Sequence, residues 1–448
     1  MLGLLLAASG LFHAPSTFND ALQEGAALLI HAERVIVKPG VELSPADVLV
    51  QNGMIVAVGT GLALPEGGRE VSGKVVCAGF LDAWSSLGLD PTSARDEGTS
   101  PSTRASDALD PFSAPHHLQN ALRAGVTSVR VQAGVTALTG GYGSIVRLDP
   151  ALEGGDSLVL DDANQAATIG TPRGGRDRDI FDRVGEVERV VGLIDGGRKY
   201  NEDLAEYRHE LEEWQKTIAD KEKELEKDAK KKKKDREKAV KEAEEKDKEF
   251  KDEKYKEDKR PKAPKEDPDV EAMARVAEGL VPLVVEAHRH EEIRSLLEHT
   301  APFGGLRLVL AGATESRDHA KALAARSIPV LLWPKPSAPA GDEWDGHDIA
   351  LASALAEEGV SVIFGSGGSD TSRELRLLAA LAVSRGLDRD IALNAITLGA
   401  AQAFDVADRI GSIERGKDAD LLVLDGDPLD TTARVHLVVS KGRVVVEQ

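Results

Sequence analysis

The sequence predicts a (β/α)8, TIM-like barrel, a small composite β-sandwich domain built from both chain ends, and an inserted charged helical arm. Three observations predict it. Short apolar strands alternate with amphipathic helices through the middle of the chain. Hairpin patterns close to each end frame that middle. A lysine- and glutamate-rich stretch interrupts it once. At 448 residues the chain is long enough for a large core or more than one domain.

The ends come first. Val35-Ile36-Val37 and Val48-Leu49-Val50 are strand-like, and Gln51-Asn52-Gly53-Met54 turns into Ile55-Val56-Ala57-Val58. Asn-Gly between β-branched runs is a strong hairpin signal. The C-terminus has the same pattern, with Asp420 to Leu424, the turn Asp425-Gly426-Asp427-Pro428, Val435 to Val439, then Lys441-Gly442-Arg443 into Val444-Val445-Val446. Residues 27–76 and 409–448 therefore read as one composite β-domain, and 77–408 as the barrel.

Within 77–408 the strand candidates are Val75–Ala83 at the border, Val126–Val131, Leu283–Ala287, Leu306–Leu310, Ile328–Leu332 and Val360–Phe364. Helical patterns follow the later ones at Glu291–Glu298, Ser316–Arg326, Asp348–Glu358 and Ser372–Ser384. Such alternation indicates a parallel sheet of βα units, and about eight of them favour a closed barrel. A doubly wound sheet is the alternative, but no Gly-x-Gly-x-x-Gly stretch opens a helix after the first strand. The glycines at 140, 141 and 143 lack a following Lys-Ser/Thr and read as a tight turn. His116-His117 opens a helix after Pro115.

Residues 201–267 are the arm. Leu204, Tyr207, Leu211, Trp214, Ile218 and Leu225 recur at heptad spacing, the lysine run Lys230 to Lys234 follows, and Pro261, Pro264 and Pro268 end helix formation. The pattern suits an antiparallel helical hairpin. It serves either as a solvated surface insertion or as an arm for homo-oligomerisation or partner docking. Asp267-Pro268 reads as a cap and first helical position, with Gly279 closing the next helix.

Composition limits the partners. Hydrophobic residues are 41% and charged residues 29%, and the net charge is -20. That charge argues against nucleic acid and anionic membrane surfaces, because both are polyanions. The single cysteine, Cys77, excludes an internal disulfide and a multi-cysteine zinc site, and its apolar surroundings read as core. No transmembrane span is expected. Residues 1–26 begin with an apolar segment, Met1 to Ala14, that is too short to cross a bilayer and has no Lys or Arg before it. It reads as a signal remnant or as a mis-assigned start, so localisation stays open between cytoplasmic and exported.

Several stretches resemble the amidohydrolase superfamily, in its imidazolonepropionase-like and prolidase-like branch. VVCAGFLDAWSSLGL at Val75–Leu89 resembles its first barrel strand, where an apolar run leads to Pro-Gly-(Phe/Leu/Met)-(Ile/Val)-Asp-x-His-x-His. NGMIVAVG at Asn52–Gly59 and GSIERGKDADLLVLDGDPLD at Gly411–Asp430 are similar to its flanking β-domain. LRAGVTSVRVQAG, GGYGSIVRL, VEAHRHEEI and AITLGAAQAFDVADRI fit the same branch.

The resemblance implies a hydrolase of non-peptide or cyclic C–N bonds that uses zinc or another divalent metal. Such a metal lowers the pKa of bound water and polarises the substrate carbonyl. It also implies ligand positions, and the residues found there are unusual. The His-x-His falls on Trp84-Ser85-Ser86, so its ligand positions hold Trp84 and Ser86. The fifth-strand histidine is His288, the sixth-strand histidine falls on Arg317, and the eighth-strand Asp, which serves as ligand and base, falls on Gly367. The fourth-strand ligand has no counterpart around Ala166–Gly170. The expectation is a catalytically degenerate barrel with no resident metal, whose mouth is open to a small-molecule ligand. The alternative is an active hydrolase acting on an amide, dipeptide or cyclic amide, its metal site rebuilt around His288 with His290 and His319. Glu286, Glu315 and Asp370 are carboxylates in neighbouring segments.

Overall fold

Val75 to Ala83, which reads as one strand, is divided at Gly79, and the two halves belong to different sheets. The computed structural model describes residues 27–89, 100–110, 114–132, 137–149, 151, 157–170, 180–244, 259–336 and 346–448. The apolar segment from Met1 to Ala14 lies outside them. In chain order the strands begin with β1 (Leu28–Lys38), β2 (Val41–Leu43), β3 (Ala46–Gln51), β4 (Met54–Gly59) and β5 (Arg69–Ala78). Next come β6 (Phe80–Ser85), β7 (Val126–Val131), β8 (Thr139–Arg147), β9 (Leu158–Thr168), β10 (Leu283–Ala287), β11 (Leu308–Gly312), β12 (Val330–Leu332) and β13 (Val362–Phe364). The last are β14 (Leu421–Leu424), β15 (Val435–Ser440) and β16 (Arg443–Glu447).

Strands β1 to β5 and β14 to β16 form one sheet in the order β16-β15-β14-β5-β1-β3-β4, with β2 beside β1. Both chain ends thus share a sheet, and Asn52 and Gly53 carry the positive φ that the β3–β4 turn requires. On this sheet His31 lies opposite Asp47. Its Nδ1 is 2.7 Å from Asp47 Oδ1 and its Nε2 2.6 Å from Glu70 Oε1. The Asp47 bond, followed by the Glu70 bond, raises the imidazole above its ordinary value against the opposing effect of burial. A raised pKa in the fold means that the pair's stability is fully present below the unfolded value of about 6.5 and fades as pH rises through the folded one. The stability gap between the unaltered chain and His31→Gln is therefore expected to be wider at about pH 6 than at about pH 9 in urea denaturation. A constant gap would contradict this.

Strands β6 to β13 form the barrel sheet, in sequence order. It is nearly closed. Where β13 meets β6, Gly367 N–H donates to Trp84 O at 2.9 Å and Ser366 N–H donates to Asp82 Oδ1 at 2.9 Å. Alternate residues point inward and outward. Leu81, Ala83, Ile145, Ala163, Val284, Val309, Leu331 and Ile363 fill the inside with Phe404. Val129, Val131, Leu283, Val285, Leu310 and Val330 pack outward against the helices.

The expected run of eight parallel βα units needs correction in one place. Strand β8 is antiparallel to both β7 and β9, so β7-β8-β9 is a meander. The links between these strands are too short for the crossover that parallel neighbours need. The glycines at 140, 141 and 143 lie inside β8 and not in a tight turn, with register shifts on both sides of Gly141.

The helices are α1 (Pro115–Arg123), α2 (Ile180–Glu244), α3 (Pro268–Ala277), α4 (His290–Thr300), α5 (Ala320–Ala325), α6 (Leu351–Glu357), α7 (Leu375–Ser384), α8 (Arg389–Ala395) and α9 (Leu398–Ala403). Helix α1 has Pro115 in its first turn, and Asp267 caps α3 by accepting from the amides of Asp269 and Val270. The arm does not start at residue 201. It is the outer part of α2, a 65-residue helix about 98 Å long at the usual rise.

The root of α2 is ordinary barrel packing. Val187, Val190 and Ile194 are buried with Met273, Val276, Ile293 and Leu296. Arg183 donates to Glu292 at 2.7 Å, and Tyr200 to Glu271 at 2.8 Å. Beyond Asn201, Leu204, Tyr207, Leu211, Trp214 and Ile218 are half-buried while most of their neighbours are exposed. The side chain of Leu225 and residues 245–258, on which the hairpin expectation rests, lie outside what is described, and residues 259–267 are not helical. No described helix is long and apolar enough to cross a membrane.

Candidate functional site at the barrel mouth

The first strand decides what the barrel mouth contains. β6 carries one more residue than β7 between the pairs Asp82–Val129 and Ser85–Val131. That bulge interrupts the alternation of faces, so Trp84 packs on the same interior cluster as Ala83. Its ring meets Trp333, just past β12, edge to face with centroids 5.2 Å apart. Ser86 opens the turn after the strand, where its carbonyl accepts from Leu89 N–H at 3.0 Å.

Beneath the indole lies Arg130, which is fully buried. Its guanidinium carbon is 4.9 Å from the Trp84 ring centroid and 5.0 Å from that of Phe404. Nε donates to Asn164 Oδ1 at 2.7 Å, Nη1 to Ala83 O at 3.1 Å and Nη2 to Gln132 Oε1 at 3.0 Å. Asn164 Nδ2 also donates to Gln132 Oε1 at 2.9 Å. Gly143 makes room for this network, because a Cβ there would stand 2.4 Å from Asn164 Oδ1 and 2.6 Å from Gln132 Oε1.

Burial pulls the guanidinium down to about 9, with Asp82 opposing, so the group is a cation at neutral pH. Asp82 is itself fully buried, and burial raises its carboxyl above the ordinary value. Its Oδ1 accepts from the amides of Trp84 and Ser366. Among the described residues Oδ2 has no partner.

Arg130, Gln132 and Asn164 were not anticipated from the sequence, although a signal was present. Ser128, Arg130 and Gln132 alternate with Val129 and Val131. In a strand buried along its whole length, that alternation means one apolar face and one polar face.

His288 stands just past β10 and is buried. Its Nδ1 is 2.7 Å from Thr314 Oγ1 and its Nε2 is 3.3 Å from Glu286 Oε1. His290 and His319 form a separate pair, with ring centroids 4.3 Å apart. His319 Nε2 bonds His290 O at 3.1 Å, and Glu315 accepts from His290 N–H at 2.8 Å. Burial first, then the neighbouring His290, holds the His319 imidazole below its ordinary value.

Two expectations from the sequence change here. Arg317 is not at the end of the sixth strand. β11 ends at Gly312, and Arg317 lies on the following 3-10 turn, more than half exposed and 2.9 Å from Asp348. The residues at the strand end are Ala311, Gly312 and Ala313. A cation that does lie inside the barrel is Arg130. The fourth strand is also placed now: β9 ends at Thr168, and its buried polar residues are Asn164, Gln165 and Thr168.

Gly367 does follow the eighth strand. Its φ is +74°, and a Cβ there would meet Trp333 Cδ1 at 2.8 Å and lie 3.5 Å from Lys335 Nζ. Trp333 thus takes the space into which a longer side chain would project. Asp370 is exposed nearby.

This donor set does not fit a divalent metal. An indole, a hydroxyl, a glycine and one histidine already bonded at both nitrogens do not make a ligand sphere. Among the described residues no three His, Cys, Asp or Glu side chains converge.

An eight-stranded α/β barrel with a β-domain from both chain ends, its mouth at the C-terminal strand ends, is the frame of a metal-dependent hydrolase. The Amidohydrolase family model matches residues 106–445, and the chain belongs to that family. An imidazolonepropionase of Porphyromonas gingivalis is 34% identical over 139 residues, 28% of this chain and 32% of that protein. A 5-methylthioadenosine/S-adenosylhomocysteine deaminase of Teredinibacter turnerae is 30% identical over 100 residues, 20% of this chain and 22% of that protein. The matches therefore span a third or less of these curated relatives. An amidohydrolase structure from Thermotoga maritima superimposes with a TM-score of 0.70 at 25% identity, covering 94% of this chain and all of that one. A Xaa-Pro dipeptidase gives a TM-score of 0.52 at 15% identity, a likeness of fold alone. The family generally depends on divalent metals and hydrolyses C–N bonds.

Proposed function

We propose that this chain is a non-hydrolytic member of the family. It works by binding a small ligand at the barrel mouth and by presenting its charged arm to a second copy or a partner protein. The observation that carries this reading is the Arg130 guanidinium 4.9 Å from the ring of Trp84, the residue that the resemblance sets at the first ligand position. Metal-activated water needs ligands that hold a dication, and the side chains here supply an indole and a cation instead. The half-buried seam of Leu204, Tyr207, Leu211, Trp214 and Ile218 supports the part assigned to the arm.

The test is elemental analysis of chain purified without added metal, joined to hydrolysis assays. The panel covers N-acyl amino acids, X-Pro dipeptides and cyclic amides. Less than about a tenth of an equivalent of zinc, manganese, iron or nickel is expected, because a structural or catalytic site holds close to one. Hydrolysis no faster than the buffer blank is expected too. Stoichiometric metal would sink the proposal.

A hydrolytic reading has one observation in its favour: His288 is retained and held between Thr314 and Glu286. It requires that His288→Ala abolish whatever hydrolysis the panel finds. Unchanged turnover in that variant would remove it.

A further inference from the structure

The most unusual group in the molecule is a fully buried guanidinium at the centre of a barrel whose family places a dication at the mouth. We propose that Arg130 is a built-in cation that takes the electrostatic place of the metal and excludes a dication from the first-strand position. The inference deepens the non-hydrolytic reading and rests on it.

Three features support it. The guanidinium is fixed by Asn164, Gln132 and the carbonyl of Ala83, so it cannot swing away from the site. It lies within 5 Å of the Trp84 ring, which stands where the first ligand of the pair would. A dication held there would fall well inside one screening length of a permanent charge, in a buried position where salt screens little. Asp82, fully buried on the neighbouring strand β6 in register with Val129, shares the interior with the guanidinium. Lys335, beside Gly367, adds a second positive charge on the Trp84 side of the mouth, since Gly367 N–H donates to Trp84 O.

The experiment restores the missing ligands and asks whether the cation still forbids the metal. Zinc dissociation constants are measured by chelator competition for two variants. One carries Trp84→His and Ser86→His, and the other adds Arg130→Gln. Neutralising Arg130 is expected to tighten zinc by about tenfold or more, equivalent to about 1.4 kcal/mol. A smaller change, including none because neither variant binds, would overturn the inference. Arg130→Met, close in volume, repeats the comparison should the glutamine variant fail to fold, which circular dichroism would show. The outcomes separate the two proposals. Zinc in the unaltered chain would sink the non-hydrolytic reading, whereas equal zinc affinity in the two variants would sink only the role of Arg130.

Discussion

Arg130→Ala is expected to lower the unfolding free energy by about 4 kcal/mol or more, which is a large share of the roughly 5–15 kcal/mol that holds a domain together. The loss has two sources. Truncation opens a cavity between Trp84 and Phe404, whose rings lie 4.9 and 5.0 Å from the guanidinium. It also leaves Asn164 Oδ1 and Ala83 O without the donors that now serve them. A buried acceptor stripped of its donor costs about 1–3 kcal/mol. Arg130→Met keeps most of the volume and removes a charge that is expensive to bury, so its loss should be smaller than that of the alanine variant. Urea denaturation followed by tryptophan fluorescence reads both, because Trp84 and Trp333 report on this cluster. An alanine variant within about 1 kcal/mol of the unaltered chain would show that the guanidinium does not organise the barrel interior.

Arg147→Met is expected to cost about 3–5 kcal/mol at neutral pH, through a different route. Arg147 lies on β8 in the barrel with its side chain fully buried. Nε donates to Asp420 at 3.1 Å, and Nη2 bonds Asp418. Asp420 immediately precedes β14 in the other sheet, where its Oδ1 accepts from Lys441 N–H at 2.7 Å. The three side chains therefore tie barrel to β-domain. Without Arg147, Asp420 is a buried carboxylate with no cation against it, since Arg409 serves Asp418.

Burial already raises the Asp420 carboxyl, with Arg147 as the main opposing influence. Removing the arginine raises it further. A carboxylate whose folded pKa lies above its unfolded value destabilises the fold above that range, and the penalty disappears as pH falls and the group is protonated in both states. The deficit should therefore shrink on acidification, and Arg147→Met with Asp420→Asn should recover much of it at neutral pH. A deficit independent of pH, or a double variant no better than the single, would place the cost elsewhere than the Asp420 charge.

Local pattern made much of the frame legible. Val126–Val131 and Leu283–Ala287 are strands with the expected ends, because each is a short β-branched run bounded by polar or turn residues. The Asn52-Gly53 hairpin and the Asp267-Pro268 helix start depend on backbone conformations that only a few residue types favour. The break at Gly79 was not legible, since an apolar run does not say where one sheet ends and another begins. Nor was the start of α2. Its root at 180–200 and its outer part share one helix, while composition changes only where packing against α3 and α4 stops.

The candidate site divides in the same way. The resemblance carried by the first strand singles out Trp84 and Ser86, and that after the eighth singles out Gly367. Arg317 falls on the 3-10 turn after β11 and not at the strand end, because the length of a βα link is not fixed by local pattern. The sequence by itself determined the class of barrel and the composite β-domain, because these depend on periodicity and residue identity within short windows. Only the tertiary structure decided what surrounds Trp84. Arg130 on β7, Asn164 on β9, Trp333 after β12 and Phe404 after α9 are far apart in the chain. Barrel closure brings them within hydrogen-bond or ring contact, and that proximity fixes the buried guanidinium of Arg130 among them.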